Sequence, residues 1–457
     1  MDYQAQTNLS ASVDPDESEV TRPADWNVLS DNESRYKEQI HKKLLDVIDL
    51  ARINTLSEED ARSQMRHICQ QLFDEISLPI NMQARQKIVQ HIEDEVMGLG
   101  PLESLLADAS ISDILVNGPD LVYVERDGKL QKAHCRFDSE AHLRNVIDRI
   151  VSRVGRRIDE SSPMVDARLK DGSRVNVVIP PLAIDGSALS IRRFAIKKLS
   201  IEQLIETDSL SHAAAKFIQG AVKGRMNILV SGGTGSGKTT FLNILSGFIP
   251  EDERVITIED AAELQMQQPH VVRLETRPAN IEGKSEITQR DLVKNALRMR
   301  PERIVIGEVR GGEAFDMLQA MNTGHDGSLT TIHANSARDS LTRVENMVAM
   351  GGIDFPISTI RKQIASAIHI VIQVQRLEDG KRKVVSIQEI NGMEGDVVTM
   401  SELFKFERCG MDNGRVLGRF KATGIIPACF DNLQQRGIEI STAMFHPGEE
   451  WRPENGH

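Results

Sequence analysis

Residues Gly232, Gly233, Thr234, Gly235, Ser236, Gly237, Lys238 and Thr239 follow the pattern of a phosphate-binding loop: two glycines with four positions between them, then Lys-Thr. The glycines allow backbone N–H groups to turn onto phosphate oxygens, and a helix beginning at the loop adds its positive end. Lys238 is placed to reach the β- and γ-phosphates of a nucleoside triphosphate and Thr239 to ligand Mg²⁺, and Thr240 joins the nucleotide-binding set. The carboxylate that hydrolysis requires is offered by Glu308, at the end of the apolar run Ile304, Val305, Ile306, Gly307. At the carboxyl edge of a sheet it could hold the Mg²⁺ shell or polarise the attacking water.

Two further clusters could do chemistry. Val255 to Ile258 is a second apolar run ending in acids, Glu259 and Asp260, with Glu263 close behind. Glu259 and Glu263 share a face if a helix begins there, and both a water-orienting role and acidic capping of that helix fit. In Gly324 to Ala334, His325 and His333 flank a glycine turn and a Ser-Thr-Thr strand. Imidazole near a γ-phosphate could sense hydrolysis or donate to the phosphate, whereas this spacing is not one that holds a metal. Arg168, Arg174, Arg192 and Arg193 precede the phosphate loop, and Arg298 and Arg300 are expected on a helix before Glu308. Guanidinium groups can neutralise charge on a transferred phosphoryl group.

The elements that must position these groups are legible as patterns. Asn227 to Val230 reads as a buried strand before the loop, and Thr240 to Leu245 as a helix after it. From Gly224 to about Gln375, apolar strands alternate with helices, the mark of a parallel sheet covered on both faces; short strands return after Lys383. Upstream, residues 1–35 are polar and acidic and are expected to be disordered. Residues 36–100 read as a helical bundle, with Ser57 and Asp60 as a capping box, a third helix over Gln83 to Met97, and Gly98 to Pro101 as its stop. Residues 101–195 read as a smaller α/β domain, with strands at Ile114–Val116, Val122–Val124 and Val175–Ile179 and a helix at His142–Val154. A linker at 196–210, the ATPase domain at 211–440 and a polar tail at 441–457 complete the expected plan.

Composition narrows the function. With 457 residues, two or three domains are expected. A net charge of −12 and 4% aromatic residues argue against nucleic acid as a partner. Cys69, Cys135, Cys409 and Cys429 form no C-x-x-C pair, which points to a reduced, cytoplasmic setting without a zinc module. No secretory signal and no membrane-spanning run is evident, so membrane contact is expected only through partners.

Taken in order, the phosphate loop, Ile258–Leu264, Leu297–Arg303, Gly307–Glu313 and His325–His333 resemble the type II/IV secretion ATPase superfamily. The segments Asp159–Arg168 and Ser190–Phe194 are most similar to its CpaF/TadA-like branch, the motors of Flp (tight-adherence) pilus assembly. The resemblance covers most of Tyr36 to about Val398. It implies a RecA-like P-loop ATPase core with a preceding smaller α/β domain, hexameric rings, and docking on an inner-membrane platform protein. It also implies that Arg174, Arg192 and Arg193 are candidates to reach the phosphates and that nucleotide lies between the core and the preceding domain; closing of that domain over the nucleotide would then be a hinge motion near Ile196–Leu199. Glu259 to Glu263 would be the aspartate box, His325 to His333 the histidine box, and Glu308 the glutamate of the Walker B strand. Lacking the paired-cysteine module, the chain departs from the extension ATPases of type II secretion and type IVa pili. Conjugation-type (type IV secretion) ATPases share the same boxes and are the nearest alternative. A slowly hydrolysing nucleotide-dependent scaffold and a nucleic-acid translocase are the readings from other classes.

Overall fold

The computed structural model describes residues 29–47, 57–76, 78–126, 128–193, 199–277, 279, 284–352 and 355–448. The chain divides into two compact units, one of residues 1–126 and 130–193, the other of 127–129 and 194–457.

In the first unit, helices Asp31–Val47, Glu58–Ile76 and Met82–Val96 close around Ile40, Leu44, Met65, Phe73, Ile88 and Ile92, all fully buried. The Ser57 hydroxyl accepts the Asp60 N–H at 3.2 Å and donates to its carboxylate at 2.6 Å, the cap that the sequence suggests. Asn81 caps the third helix through the Ala84 N–H, and Gly100, at φ +59°, turns the chain out of it. The first helix begins at Asp31, inside the stretch expected to be a leader through residue 35; residues 1–28 lie outside the described residues.

The same unit holds a six-stranded sheet of β1 (Ile111–Asn117), β2 (Val122–Arg126), β3 (Lys129–Lys132), β4 (Met164–Arg168), β5 (Arg174–Val178) and β6 (Ala188–Arg192), in the order β3-β2-β1-β6-β5-β4. Strand alternation turns Ile114, Val116, Val175, Val177, Leu189 and Ile191 toward the helix Glu140–Arg153. The opposite side chains, Arg174 and Arg192 among them, stand on the other face.

The second unit is built on nine strands: β7 (Ile228–Gly232), β8 (Val255–Glu259), β9 (Val271–Glu275), β10 (Arg303–Val309), β11 (Leu329–Ile332), β12 (Ile370–Arg376), β13 (Arg382–Glu394), β14 (Val397–Asp412) and β15 (Arg415–Ala422). Their order is β15-β14-β13-β12-β7-β11-β10-β8-β9. From β12 to β9 every pairing is parallel, and from β12 to β15 every pairing is antiparallel. Helices His212–Lys223 and Lys238–Ser246 cover one face of the parallel part. Helices Gln289–Ala296, Glu313–Asn322, Ala337–Met350 and Ile357–Ala367 cover the other. Burial on both faces explains why β7, β8 and β11 carry no exposed residue. From β7 the chain moves to β8 on one side and later returns to β12 on the other, which opens a crevice at the carboxyl end of β7. This is the RecA-like α/β core.

Three expectations need correction. The strands after Lys383 are not short: β13 and β14 run for 13 and 16 residues, because they continue as a meander past the edge of the helix layers. The expected linker contains a capped helix, Ile201–Glu206, while the proposed hinge falls largely on residues 194–198, outside the described residues. The polar tail does not begin at 441. Phe445 is 1% exposed and packs on Phe217, Phe404 and Phe430 with ring centroids 5.6, 5.4 and 6.2 Å away.

Candidate active site

The loop after β7 has the backbone that phosphate binding requires. Gly235 and Gly237 lie at φ +67° and +93°, a region closed to most side chains. A β-carbon on Gly232 would come within 2.5 Å of the Val374 carbonyl, so this turn also admits only glycine. Lys238 opens the helix Lys238–Ser246 and folds its ammonium back onto the Gly233 carbonyl at 3.2 Å. The same ammonium is 3.8 Å from Glu308 Oε1. Glu308 comes from β10, one strand removed from β7, since β11 lies between them. The structure thus brings together the loop lysine and the acid singled out from sequence.

Arg310, which spacing alone did not assign a role, completes this cluster. Its Nε and one terminal amine donate to Glu308 Oε2 at 3.0 and 2.6 Å, and the other amine donates to Asp260 at 3.4 Å. One carboxylate oxygen of Glu308 therefore faces a lysine and the other is held by an arginine. Although burial acts against it, the hydrogen bond and charge of Glu308 push the Arg310 guanidinium above its usual range. Behind Arg310, the Glu313 carboxylate accepts the N–H groups of Arg310 and Gly311 at 2.6 and 2.8 Å. Gly312 then touches Gly351: a β-carbon on Gly312 would lie 2.7 Å from the Gly351 Cα, and one on Gly351 would lie 3.1 Å from the Gly312 Cα.

Glu259 ends β8 and is 3% exposed. No helix begins there; instead its Oε2 accepts the N–H groups of Glu263 and Leu264 at 2.6 and 2.8 Å in an irregular segment. Glu259 and Glu263 therefore do not share a helical face. Burial pushes the Glu259 carboxyl up, against the pull of these two N–H donors, and its Oε1 is buried with no hydrogen-bond partner. Gly307 lies against this side chain, where a β-carbon would be 3.0 Å from the Glu259 Cγ.

The two histidines separate. In the register of β11 with β7, Leu329 faces Ile228 and Ile332 faces Ser231. His333 follows β11 at the edge that carries the phosphate loop, whereas His325 precedes the strand at the opposite edge. The four residues of β11 alone put about 13 Å between those edges. His325 belongs to a structural corner. Ser328 donates to its carbonyl at 2.8 Å, and Asn227 accepts the Gly327 and Ser328 N–H groups at 2.8 and 3.0 Å. At that edge, fully buried Arg303 donates to the Val222 carbonyl at 2.7 Å and pairs with Glu253, which also binds Arg225 at 3.0 Å. Arg298 and Arg300 fall here too, beyond the end of helix Gln289–Ala296, with Arg300 at φ +54°. They are neither helical nor at the phosphate edge.

In the first unit, Arg174 and Arg192 are direct cross-strand partners, and Arg168 faces Arg174 from β4. Arg174 lies 3.5 Å from Asp166 and Arg192 lies 3.1 Å from Asp113. Arg193 points elsewhere: it donates to the carbonyls of Asp108 and Ile111, which ties the chain after β6 to the edge of β1.

A phosphate loop after a buried parallel strand, with an acid at the end of a strand beyond its neighbour, defines a RecA-like P-loop nucleotide-binding protein. More specifically, the chain belongs to the type II/IV secretion system family, whose model, described as "Type II/IV secretion system protein", matches residues 95–423. A protein of Mycobacterium tuberculosis (strain H37Rv) named for conjugal transfer is 39% identical over 312 residues, 67% of this chain and 88% of its own. The type IV secretion system protein VirB11 of Bartonella quintana is 32% identical over 325 residues, 63% of this chain and 91% of its own. Among solved structures, the VirB11 ATPase of Brucella suis is similar at 29% identity, covering 63% of this chain and 95% of its own with a TM-score of 0.35.

Proposed function

We propose that this protein hydrolyses ATP and uses the energy to drive a secretion or pilus-assembly machine. The observation that supports this reading best is Glu308 lying 3.8 Å from the phosphate-loop Lys238, with its second oxygen oriented by Arg310. Glu308 polarises the attacking water and takes its proton as the oxygen bonds to the γ-phosphorus and the bond to the β,γ-bridging oxygen breaks. Lys238 and the loop N–H groups offset charge on the β- and γ-phosphates, with Thr240 in the same first helical turn. Glu259, whose carboxylate accepts the Glu263 N–H, and His333 stand at this same edge of the core.

The donors suit Mg²⁺, a hard cation that takes oxygen ligands. Thr239 and Glu308 would hold it, and the buried, unpartnered Oε1 of Glu259 adds an oxygen on the neighbouring strand end. When bound, Mg²⁺ neutralises charge on the phosphate oxygens.

The unit works as a homo-hexamer on membrane platform proteins; among the described residues no helix is long and apolar enough to cross a membrane. Within the family we place it in the Flp pilus-assembly branch, on the segments Asp159–Arg168 and Ser190–Phe194. A conjugation-type or type IV secretion role is the second reading, favoured by the names of the relatives above.

The test is ATP turnover of the full chain beside Glu308→Gln and Lys238→Ala, with particle mass measured on the same samples. Glu308→Gln should lose at least about a hundredfold in kcat while still binding ATP, and Lys238→Ala should lose binding. Negligible turnover by the wild-type ring, with nucleotide bound, would replace the motor by a scaffold.

A further inference from the structure

The phosphate loop has a second cationic support, from a part of the chain with no recognised motif. β12 and β13 form a hairpin whose turn is closed by the Leu377 N–H on the Lys381 carbonyl at 2.8 Å and the Gly380 N–H on the Leu377 carbonyl at 2.9 Å. At its base Arg376 and Arg382 face each other in register. Both reach the phosphate loop. Arg382 Nε donates to the Gly235 carbonyl at 2.9 Å. Its stem fills the space beside Gly237, where a β-carbon would meet the Arg382 Cδ at 3.2 Å. Arg376 brings a terminal amine to 3.6 Å from the β-carbon position of Gly235.

A loop that aims its N–H groups at phosphate must turn carbonyls away from it, and those carbonyls need donors. Gly235 occupies the left-handed region, and Arg382 meets the carbonyl that this conformation turns outward. The two arginines sit on strands, not on a mobile lid, so the support is in place before nucleotide arrives.

We propose that Arg382, with Arg376 beside it, is a nucleotide-positioning residue: it holds the phosphate loop in its anion-binding form and adds positive potential to the triphosphate site. This rests on the reading that the loop binds ATP. The expected signature is on affinity, not on the chemical step, because Arg382 acts through Gly235.

The experiment measures KM and kcat for ATP–Mg²⁺ in the full chain for Arg382→Met, Arg382→Lys and Lys238→Ala, with melting temperatures of the nucleotide-free proteins. Arg382→Met keeps the stem against Gly237 but removes the donor and the charge. It should raise KM about tenfold, with kcat changed by less than about twofold and melting temperature unchanged. Arg382→Lys, which keeps a donor and the charge, should recover most of that loss. Wild-type KM in Arg382→Met, with binding abolished in Lys238→Ala, would overturn the proposal and leave the ATPase reading standing. Binding unaffected in Lys238→Ala would instead remove the reading beneath it.

Discussion

At the residue scale, the centre of the site is one carboxylate between two cations, and the two histidines differ in their relation to it. His333 follows β11 at the phosphate edge and His325 precedes it at the far edge. His333→Ala should therefore lower ATP turnover by at least about tenfold, whereas His325→Ala should stay within about twofold of wild type in the same assay. Equal losses would mean that the corner around His325 communicates with the phosphate edge. The residues legible in the sequence were those whose chemistry is local: the loop glycines, Lys238 and Thr239 are contiguous, and Glu308 ends an apolar run. Arg382 was not legible, because its partner Gly235 lies 147 residues away and only the β7–β12–β13 ladder brings them together. Arg310 adjoins the legible acid, but the register shift between Ile306 and Val309 reshapes the backbone there in a way that no spacing rule conveys.

At the element scale, the parallel strands and their helices were legible because burial on both faces leaves near-continuous apolar runs. What was missed depends on where strands end. The helix expected to carry Arg298 and Arg300 stops at Ala296. The opposite edge of the sheet is held by a buried ion pair that no motif announces. Burial would push the Glu253 carboxyl up, but Arg303 and Arg225 outweigh it and hold it below its ordinary 4.5. A carboxyl with a lowered folded pKa stabilises the fold above its unfolded pKa and loses that contribution as pH falls. Glu253→Gln leaves Arg303, which is 0% exposed, without its charge partner, and should cost about 3–5 kcal/mol at pH 7 by denaturant unfolding. The gap from wild type should begin to close as the pH falls below 4.5, where the unfolded carboxyl takes up its proton, and should close fully only once the pH falls below the lower folded value, where the native carboxyl is neutral too. A gap independent of pH would assign the loss to packing instead of charge.

At the scale of the whole molecule, the chain closes its ATPase unit with residues close to its end. Phe445 joins Phe217, Phe404 and Phe430 in one aromatic cluster, so the turn Thr442–Phe445 anchors to the helix before the phosphate loop and to the antiparallel meander. The anchor is too short to read from sequence: between Ser441 and Gly448 only Met444 and Phe445 are buried, and two adjacent residues have no periodicity. Phe445→Ala should cost about 3–5 kcal/mol in the ATPase unit, seen as a lowered unfolding midpoint. A neutral result would show that the tail contributes nothing to the core. The contact of Gly312 with Gly351 also sets how closely two parts of this unit approach each other. The turn that follows Arg310 and the turn that follows helix Ala337–Met350 meet main chain to main chain, with no room for a side chain on either. The spacing of the two turns is therefore set by main-chain contact alone, and any side chain introduced at Gly312 or Gly351 would push the strand end that carries Glu308 away from helix Ala337–Met350.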